Sequence, residues 1–332
     1  MPTKPIAAKP SLVKPAAVFL DFETLGPNLD TTKLEALVEM RYHDRSERPE
    51  VERRLAECEI AIVNKCDVDG DAIRASKRLK LIALTGTGSD NVDVAAAKQC
   101  GVAVANSRGY CTTSLAQHVF ALILTLTRQI EGYAAIVRRG AWAKSGMFAM
   151  FDYPVRDLSG RTLGLVGSGT LGSEVARLGE CFGMRVSVAA RFGTPREQVP
   201  ADRVHFDDLL ERADVLSLHC PLNAATKHMI GAPQLRRMKR DALLINTARG
   251  GLVDSEALAA ALRAGELGGA GIDVLANEPP PADHPLLAAD IPNLIVTPHV
   301  AWTAQEARQR ALDQVTENIA DYLRGGALRR LV

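Results

Sequence analysis

The sequence predicts an α/β protein with two parallel β-sheets, and two observations lead to that fold class. Short apolar runs alternate with amphipathic segments twice along the 332 residues, and a glycine-rich loop follows the first strand of the second series. Apolar strands separated by helices are typical of parallel sheets that are covered on both faces. A chain of this length also favours two domains over one.

The first series occupies the N-terminal third of the chain. Strands are predicted at 17–21, 60–64, 79–85 and 102–106, and amphipathic helices at 32–38 and 92–100. A long apolar helix is predicted over 112–139, and the turn Asp157-Leu158-Ser159-Gly160 separates it from the second series.

The second series has a cleaner pattern. Its strands are predicted at 162–166, 185–190, 215–219, 242–246, 271–274 and 294–297, and a last helix at 304–323. Six strands in βαβ order are what a complete dinucleotide-binding sheet needs.

Composition narrows the class of protein. The formal net charge is +1, without a basic field or an acidic tail, so we expect no nucleic-acid partner. The longest apolar stretch, 119–126, is too short to span a membrane. Six scattered cysteines without a CxxC pair favour a reducing cytoplasm and no metal site. Residues 1–15 alternate lysine and proline and are predicted to form a disordered tail rather than a secretion signal.

The glycine-rich loop predicts a dinucleotide site. Gly167, Gly169 and Gly172 form a GxGxxG pattern directly after the strand at 162–166, and a helix begins at Thr170 and Leu171 within the pattern. The first glycine allows a tight turn, the second lets the backbone approach a pyrophosphate, and the third allows close helix–strand packing. Glycines often mark simple turns, but here both the strand and the helix are present.

The strand after this loop bears on which dinucleotide binds. An NAD site places an acidic residue about 20 residues after the glycines. This strand ends in Ala189-Ala190-Arg191, and no acid occurs between Cys181 and Arg196. Arg191 offers a charge-assisted donor to a 2′-phosphate, so we expect a preference for NADP(H), with NAD(H) as the alternative. The competing interpretation is that Arg191 is a solvated loop residue.

Three polar residues follow strands near the end of the second series. Arg249, Glu278 and His299 each lie just past a predicted strand, where ligands bind in open parallel sheets. Histidine transfers protons near neutral pH, a carboxylate orients its ring, and arginine offers paired donors to a carboxylate. Each residue alone fits a structural role: a helix cap, a surface acid or a buried imidazole. Together, beside a dinucleotide loop, they indicate a proton-transfer site.

These residues carry a resemblance to the D-isomer-specific 2-hydroxyacid dehydrogenase family over roughly residues 17–325. The matching segments are the glycine loop, 246–254, Asp273-Val274, Glu278-Pro279 and 297–299. The resemblance implies that Arg249 holds the substrate carboxylate and carbonyl, that His299 is the general acid and base, and that Glu278 pairs with His299.

Further cofactor contacts are expected around the same sheet. His219 and Cys220 have no second ligand pair for a metal, so a backbone contact to the cofactor at Cys220 and Pro221 is favoured. The resemblance adds other positions to these contacts: Thr226, Thr247, Ala248, Asp273 and His299.

The substrate loop is expected in the first series. Small residues at 84–93 are able to present backbone N–H groups to a carboxylate, and Thr87 and Gly88 match the family's contacting positions. A turn followed by a helix capped by Asp90 fits the same residues. Lys65 ends a strand and either binds substrate or is solvated. Through Phe19-Leu20-Asp21, Asn64-Lys65 and the Thr87-Gly88 loop, the N-terminal half resembles glycerate dehydrogenases, or hydroxypyruvate reductases, which implies hydroxypyruvate or glyoxylate as substrate.

The resemblance also implies the domain plan. A flavodoxin-like substrate domain is expected from residues 16–111 plus 300–332, with a Rossmann NAD(P)-binding domain inserted at 112–299. The helix at 112–139 resembles the family's dimer-forming helix, so a homodimer is expected.

Two other interpretations stay open. Another 2-oxo acid dehydrogenase or a phosphite dehydrogenase shares this architecture. An NAD(H)-sensing, corepressor-like binding protein retains the same catalytic residues, although near-neutral charge disfavours that role.

Overall fold

A computed structural model describes residues 14–332, which divide into two compact units. Unit 1 contains the described residues up to Cys111 together with Thr303–Val332, and unit 2 is Thr112–Trp302. The tail predicted over 1–15 lies outside the described residues except for Lys14 and Pro15.

Unit 1 is a parallel five-stranded sheet with helices. Its strands are β1 (Ala16–Phe19), β2 (Glu39–Tyr42), β3 (Ile60–Val63), β4 (Leu81–Leu84) and β5 (Ala103–Ala105). Its helices are α1 (Thr32–Leu37), α2 (Arg48–Ala56), α3 (Gly70–Ala75), α4 (Val94–Gln99) and a C-terminal helix (Gln305–Leu323). The strand order β2-β1-β3-β4-β5 is the flavodoxin-like order, as expected.

The sequence pattern did not predict β2, which is an edge strand. Its residues are alternately exposed and half-buried, whereas all four residues of β3 and of β4 are buried. An edge strand that other elements cover only in part lacks the continuous apolar run by which buried parallel strands are recognised in a sequence.

Unit 2 is a parallel six-stranded sheet with helices on both faces. Its strands are β6 (Thr162–Val166), β7 (Arg185–Val188), β8 (Val215–Leu218), β9 (Leu243–Asn246), β10 (Gly269–Ile272) and β11 (Leu294–Val296). Its helices are α5 (Thr112–Arg128), α6 (Ile130–Arg138), α7 (Ala141–Ser145), α8 (Thr170–Cys181), α9 (Phe206–Arg212), α10 (Ala232–Arg237) and α11 (Ser255–Arg263).

The strand order of unit 2 places a reversal beside β6. The order is β11-β10-β9-β8-β6-β7, so the chain proceeds to one side through β7 and then crosses over to β8. Ligands bind at such reversals in open α/β sheets. A single parallel bridge between Ala189 and Val204 lies beyond β7, where the usual dinucleotide fold has its third strand.

Two sequence predictions in unit 2 were wrong in detail. The helix predicted over 112–139 is two helices, because Gln129 has a left-handed φ of 53° and the helices bend by 59° there. The strand predicted at 271–274 is two residues earlier, at Gly269–Ile272. Its glycines masked the strand pattern; a Cβ at Gly271 would lie 2.9 Å from the Cβ of Leu122 on α5.

Alternate residues of the unit 2 strands enter two separate cores. Leu243 and Ile245 of β9 pack with α5 and α8, while Leu244 between them packs with α9 to α11. Among the described residues no single helix is long and apolar enough to span a bilayer; only the bent pair α5 and α6 reaches that length and apolarity together.

The second domain boundary differs from the predicted one. Residues 300–302 belong to unit 2, although the sequence predicted the first domain to resume at residue 300. The reason is a hydrogen-bonded anchor: the backbone N–H groups of Val300 and Ala301 donate to the carboxylate of Asp273, at 2.8 and 2.9 Å.

Candidate active site

The glycine loop after β6 has backbone geometry that only glycine fits at two positions. Gly167 has a φ of +101°, and a Cβ there would lie 2.6 Å from the carbonyl oxygen of His219. A Cβ at Gly172 would lie 2.2 Å from the carbonyl oxygen of Gly167. A Cβ at Gly169 would meet nothing within 4 Å. The loop is therefore closely packed against backbone at Gly167 and Gly172, and it is open at Gly169.

The open side of the loop presents unpaired donors. The backbone N–H groups of Gly169, Thr170, Leu171 and Gly172 donate no hydrogen bond to any described residue; the first bond of α8 runs from Ser173 N to Gly169 O. Gly169 and Thr170 are exposed. Free donors at a helix N-terminus favour a phosphate, so the loop fits the pyrophosphate of a dinucleotide.

The strand beside this loop ends in small and cationic residues. Ala190 is buried, and Arg191 is exposed, with no side-chain hydrogen bond or ion pair among the described residues. A second arginine, Arg203, donates from Nη2 to Oγ of Ser168 in the glycine loop, at 3.2 Å. The sequence pattern did not single out Arg203, since 35 residues separate it from Ser168.

The turn after β9 positions Arg249. The amide of Asn246 closes this turn by accepting from Ala248 N at 3.1 Å and donating to Arg249 O at 2.9 Å. Gly250 follows, and a Cβ there would lie 2.0 Å from the carbonyl carbon of Leu275. The missing side chain lets the Arg249 turn lie against the segment that precedes Glu278.

Glu278 and His299 form a direct pair. Oε2 of Glu278 lies 2.5 Å from Nδ1 of His299, and Oε1 accepts from Leu275 N at 2.8 Å. Nε2 of His299 makes no hydrogen bond with the described residues. His299 has a φ of +55°, a strained conformation that is typical of functional positions. Because β9, β10 and β11 are neighbours, the segments that carry Arg249, Glu278 and His299 follow adjacent strands.

Asp273 holds the backbone that carries His299. Its buried carboxylate accepts from Thr297 Oγ1 at 2.6 Å as well as from Val300 and Ala301, and its carbonyl accepts from His299 N at 2.8 Å. His118 on α5 extends this network, since its Nε2 lies 3.0 Å from Thr297 Oγ1. The sequence suggested no partner for His118. The structure shows Asp273 as an anchor, and its direct contact with a cofactor stays a prediction.

The remaining predicted cofactor residues differ in how they are engaged. The buried Oγ1 of Thr247 has no hydrogen-bond partner, which fits a bound polar ligand. The hydroxyl of Thr226, in contrast, donates to Pro221 O at 2.8 Å and accepts from Asn223 N. Burial raises the pKa of the Cys220 thiol, which donates to the sulfur of Met229. Ala248 packs against the core beside α9 to α11.

His219 lies under the glycine loop. Its Nε2 is 2.9 Å from Oγ of Ser217, and burial lowers the pKa of its imidazole to about 4. The ring is therefore neutral at physiological pH. Among residues 14–332 no group of three or more His, Cys, Asp or Glu side chains is arranged to hold a metal ion.

In unit 1, a buried carboxylate shapes the turn that carries Lys65. Asp21 accepts from the backbone N–H groups of Asn64, Lys65 and Cys66, at 2.9, 2.5 and 2.8 Å. Asp21 is 3% exposed, whereas Lys65 is exposed. The turn after β3 is thus rigid, with a cationic side chain at its surface.

The predicted substrate loop follows β4. Thr87 Oγ1 donates to Ser107 O at 2.7 Å, and Asn106 Nδ2 donates to Thr87 O at 2.8 Å. The backbone N–H groups of Thr87 and Gly88 donate to no described residue, as an anion-binding loop requires. The helix after this loop is capped by Asp93, whose side chain accepts from Ala96 N, so the competing interpretation of Asp90 as the helix cap was wrong.

Comparisons with known proteins place the chain in a family. The family described as D-isomer specific 2-hydroxyacid dehydrogenase, NAD binding domain, matches residues 120–301. A glycerate dehydrogenase from Methylorubrum extorquens is 45% identical over 93% of this chain and 96% of that protein. A hydroxypyruvate reductase from Blautia hydrogenotrophica is 32% identical over 93% and 97%.

A solved structure is similar over most of this chain. An acyclic imino acid reductase, in complex with NADPH and D-Arg, superposes with a TM-score of 0.84 at 28% identity, covering 96% of this chain and all of that one. The match covers both units, with the dinucleotide loop in the second. The chain therefore belongs to the D-isomer-specific 2-hydroxyacid dehydrogenase family, whose members are nicotinamide-dependent oxidoreductases.

Proposed function

We propose that this protein reduces a small 2-oxo acid, hydroxypyruvate or glyoxylate, to the corresponding 2-hydroxy acid with NADPH. The observation that carries the proposal is the 2.5 Å contact between Glu278 and His299. These residues follow β10 and β11, and the turn that carries Arg249 follows the neighbouring strand β9. An imidazole held through Nδ1 by a carboxylate has its opposite nitrogen ready for proton transfer.

Each residue has a separate task in this reaction. A nicotinamide dinucleotide held by the glycine loop at Gly167, Gly169 and Gly172 would supply the hydride for the carbonyl carbon. His299 donates a proton from Nε2 to the carbonyl oxygen and takes it back in the reverse direction. Glu278 stabilises the protonated ring, and Arg249 binds the substrate carboxylate through parallel N–H donors.

The substrate assignment draws on unit 1 and on the relatives. The free N–H groups of Thr87 and Gly88, with the exposed Lys65, suit a short acid with a polar substituent. The glycerate dehydrogenase and hydroxypyruvate reductase named above act, by their names, on acids of that kind.

The preference for NADPH draws on the end of β7. Ala190 provides no carboxylate to bind a free ribose or repel a 2′-phosphate, and Arg191 is exposed beside it. The solved relative that binds NADPH supports the same assignment.

A panel of 2-oxo acids, assayed with NADPH and with NADH, tests both parts. We expect the highest kcat/KM for hydroxypyruvate or glyoxylate with NADPH. Turnover of phosphite, or of a different 2-oxo acid with higher kcat/KM, would overturn the substrate assignment, and a clear preference for NADH would overturn the cofactor assignment. Absence of turnover together with tight cofactor binding would favour the nucleotide-sensing role.

We also propose that the protein is a cytoplasmic homodimer. Large apolar side chains are exposed around α7: Trp142 is 47% exposed, Met147 59%, Phe148 97% and Phe151 85%. Exposed apolar clusters mark association surfaces, and a second copy is the occupant that the family predicts. Light scattering after size exclusion should give twice the monomer mass for wild type. F148S should lower the measured mass towards that of the monomer. A monomeric wild type would refute the dimer. Cell fractionation tests the compartment.

A further inference from the structure

We propose that Arg203 is a second specificity-determining residue for the cofactor, which binds the 2′-phosphate of NADP(H) together with Arg191. This inference rests on the proposed use of NADPH. It adds a residue that lies twelve positions beyond Arg191 and whose place only the fold reveals.

The edge of the unit 2 sheet brings the Arg203 backbone to the end of β7. Val204 N donates to Val188 O at 3.0 Å, and Ala190 N donates to Val204 O at 2.8 Å, which forms the isolated bridge of Ala189 with Val204. The segment before α9 thus pairs with the residues where an NAD-binding protein carries its ribose-binding acid. Arg203 immediately precedes the paired residue.

The side chain of Arg203 reaches from this edge to the glycine loop. Its Nη2 donates to Oγ of Ser168 at 3.2 Å, and Ser168 lies between Gly167 and Gly169. The guanidinium therefore bridges the glycine loop and the end of β7, between which the adenosine ribose of a bound dinucleotide lies. The Arg203 side chain is 31% exposed, so it is partly ordered by its surroundings yet open to a ligand.

The charges around Arg203 fit a phosphate. Asp202 Oδ2 lies 3.4 Å from Nη1 of Arg203, but Asp202 is 72% exposed and holds its partner only weakly. Arg196, in contrast, is engaged by Asp208. Arg191 follows Ala190 in the chain, and Arg203 precedes the residue that pairs with Ala189, so both cations lie near the end of β7. A guanidinium group binds a phosphate through two N–H groups at once.

A purely structural role for Arg203 predicts a different outcome. If the bond to Ser168 only stiffens the glycine loop, its loss weakens every dinucleotide equally. If Arg203 binds the 2′-phosphate, its loss weakens only ligands that carry that group. The two alternatives separate in a binding measurement that requires no catalysis.

The experiment compares R203Q with wild type by titration calorimetry, using NADPH, NADH, 2′-AMP and 5′-AMP. We expect R203Q to weaken NADPH and 2′-AMP by about tenfold, the effect of losing a charge-assisted hydrogen bond, and NADH and 5′-AMP by less than about twofold. R203K, which keeps the charge without the fork, should fall between. The matched control is R185Q, at the opposite end of β7, which should change none of the four.

Equal weakening of NADPH and NADH, or no change in either, would overturn the inference. If wild type binds NADPH no better than NADH, the proposed NADPH preference itself fails, and the inference with it. If wild type prefers NADPH over NADH and R203Q retains that preference, the inference alone fails. Thermal melting of R203Q and R203K, compared with wild type, establishes that the variants are folded.

Discussion

Oε2 of Glu278 lies 2.5 Å from Nδ1 of His299, while the second oxygen of the same carboxylate is held by the backbone N–H of Leu275. The backbone of Leu275 therefore orients the carboxylate of Glu278, and this carboxylate in turn orients the ring of His299. This arrangement leaves Nε2 without a hydrogen bond to the described residues, so Nε2 is the nitrogen that the proposed proton transfer would use.

Replacing His299 tests that role. H299Q should lower kcat/KM for the best 2-oxo acid by about 10³-fold, because positioned general acids contribute about 10² to 10⁴. E278Q, which keeps the shape but removes the charge, should lower it by about 10² on the same scale. Steady-state kinetics measure both. The exposed His228 supplies a control, H228N, which should retain wild-type activity. Wild-type kcat in H299Q would exclude His299 as the general acid.

Asp273 should be essential for stability as well as for the site. D273N replaces a buried carboxylate that accepts from Thr297, Val300 and Ala301, and an amide has only one accepting oxygen. We expect the free energy of unfolding to fall by roughly 2–3 kcal/mol, the cost of leaving a buried donor without its charged acceptor. Urea denaturation measures this change. T297V, which removes one of these bonds together with the contact of Thr297 Oγ1 with His118 Nε2, should cost less because the other two donors keep their charged acceptor; an unchanged D273N would contradict the anchor.

Two glycines of the loop should separate folding from ligand binding. G172A places a Cβ 2.2 Å from Gly167 O, so we expect it to reduce both thermal stability and NADPH affinity. G169A places a Cβ in open space, so its melting temperature should stay at the wild-type value. The added methyl group would nonetheless block close approach of the pyrophosphate, and the Kd for NADPH should rise about tenfold or more. Wild-type affinity in G169A would mean that the cofactor does not approach this backbone.

The half-buried His219 should make stability depend on pH. Its pKa is lowered from 6.5 to about 4 in the folded protein, so the unfolded chain binds a proton more readily. Above pH 6.5 the ring is neutral in both states and does not lower the free energy of unfolding. As the pH falls from 6.5 towards 4, the unfolded chain takes up the proton first and the free energy of unfolding decreases. The shift sets an upper limit of roughly 3–4 kcal/mol on this loss. Urea denaturation between pH 7 and 4 measures the slope, and H219N should flatten it. The same slope in H219N would assign the effect to other groups.

Much of this protein was predictable because its signals are local. The strand at Thr162–Val166 has the bounds that its apolar run predicted, and the turn and helix after it follow from three glycines. The positions of Arg249, Glu278 and His299 past the ends of neighbouring strands could be read from the sequence, since parallel strands end at one edge of their sheet, whereas their catalytic roles stay predictions. Period, spacing and strand polarity are properties of short segments, so they are readable without the fold.

The tertiary structure decided what depends on residues far apart in the chain. Ser168 meets Arg203, His118 meets Thr297, and Asp273 fastens residues 300–302 into unit 2. The break at Gln129 is likewise invisible in a continuous apolar pattern. The local sequence around a side chain does not show which distant residue it will bond to, because strand order and packing decide which residues meet. The glycine loop and the strand ends were therefore determined by local sequence, whereas the contacts that hold and tune them were determined by the fold.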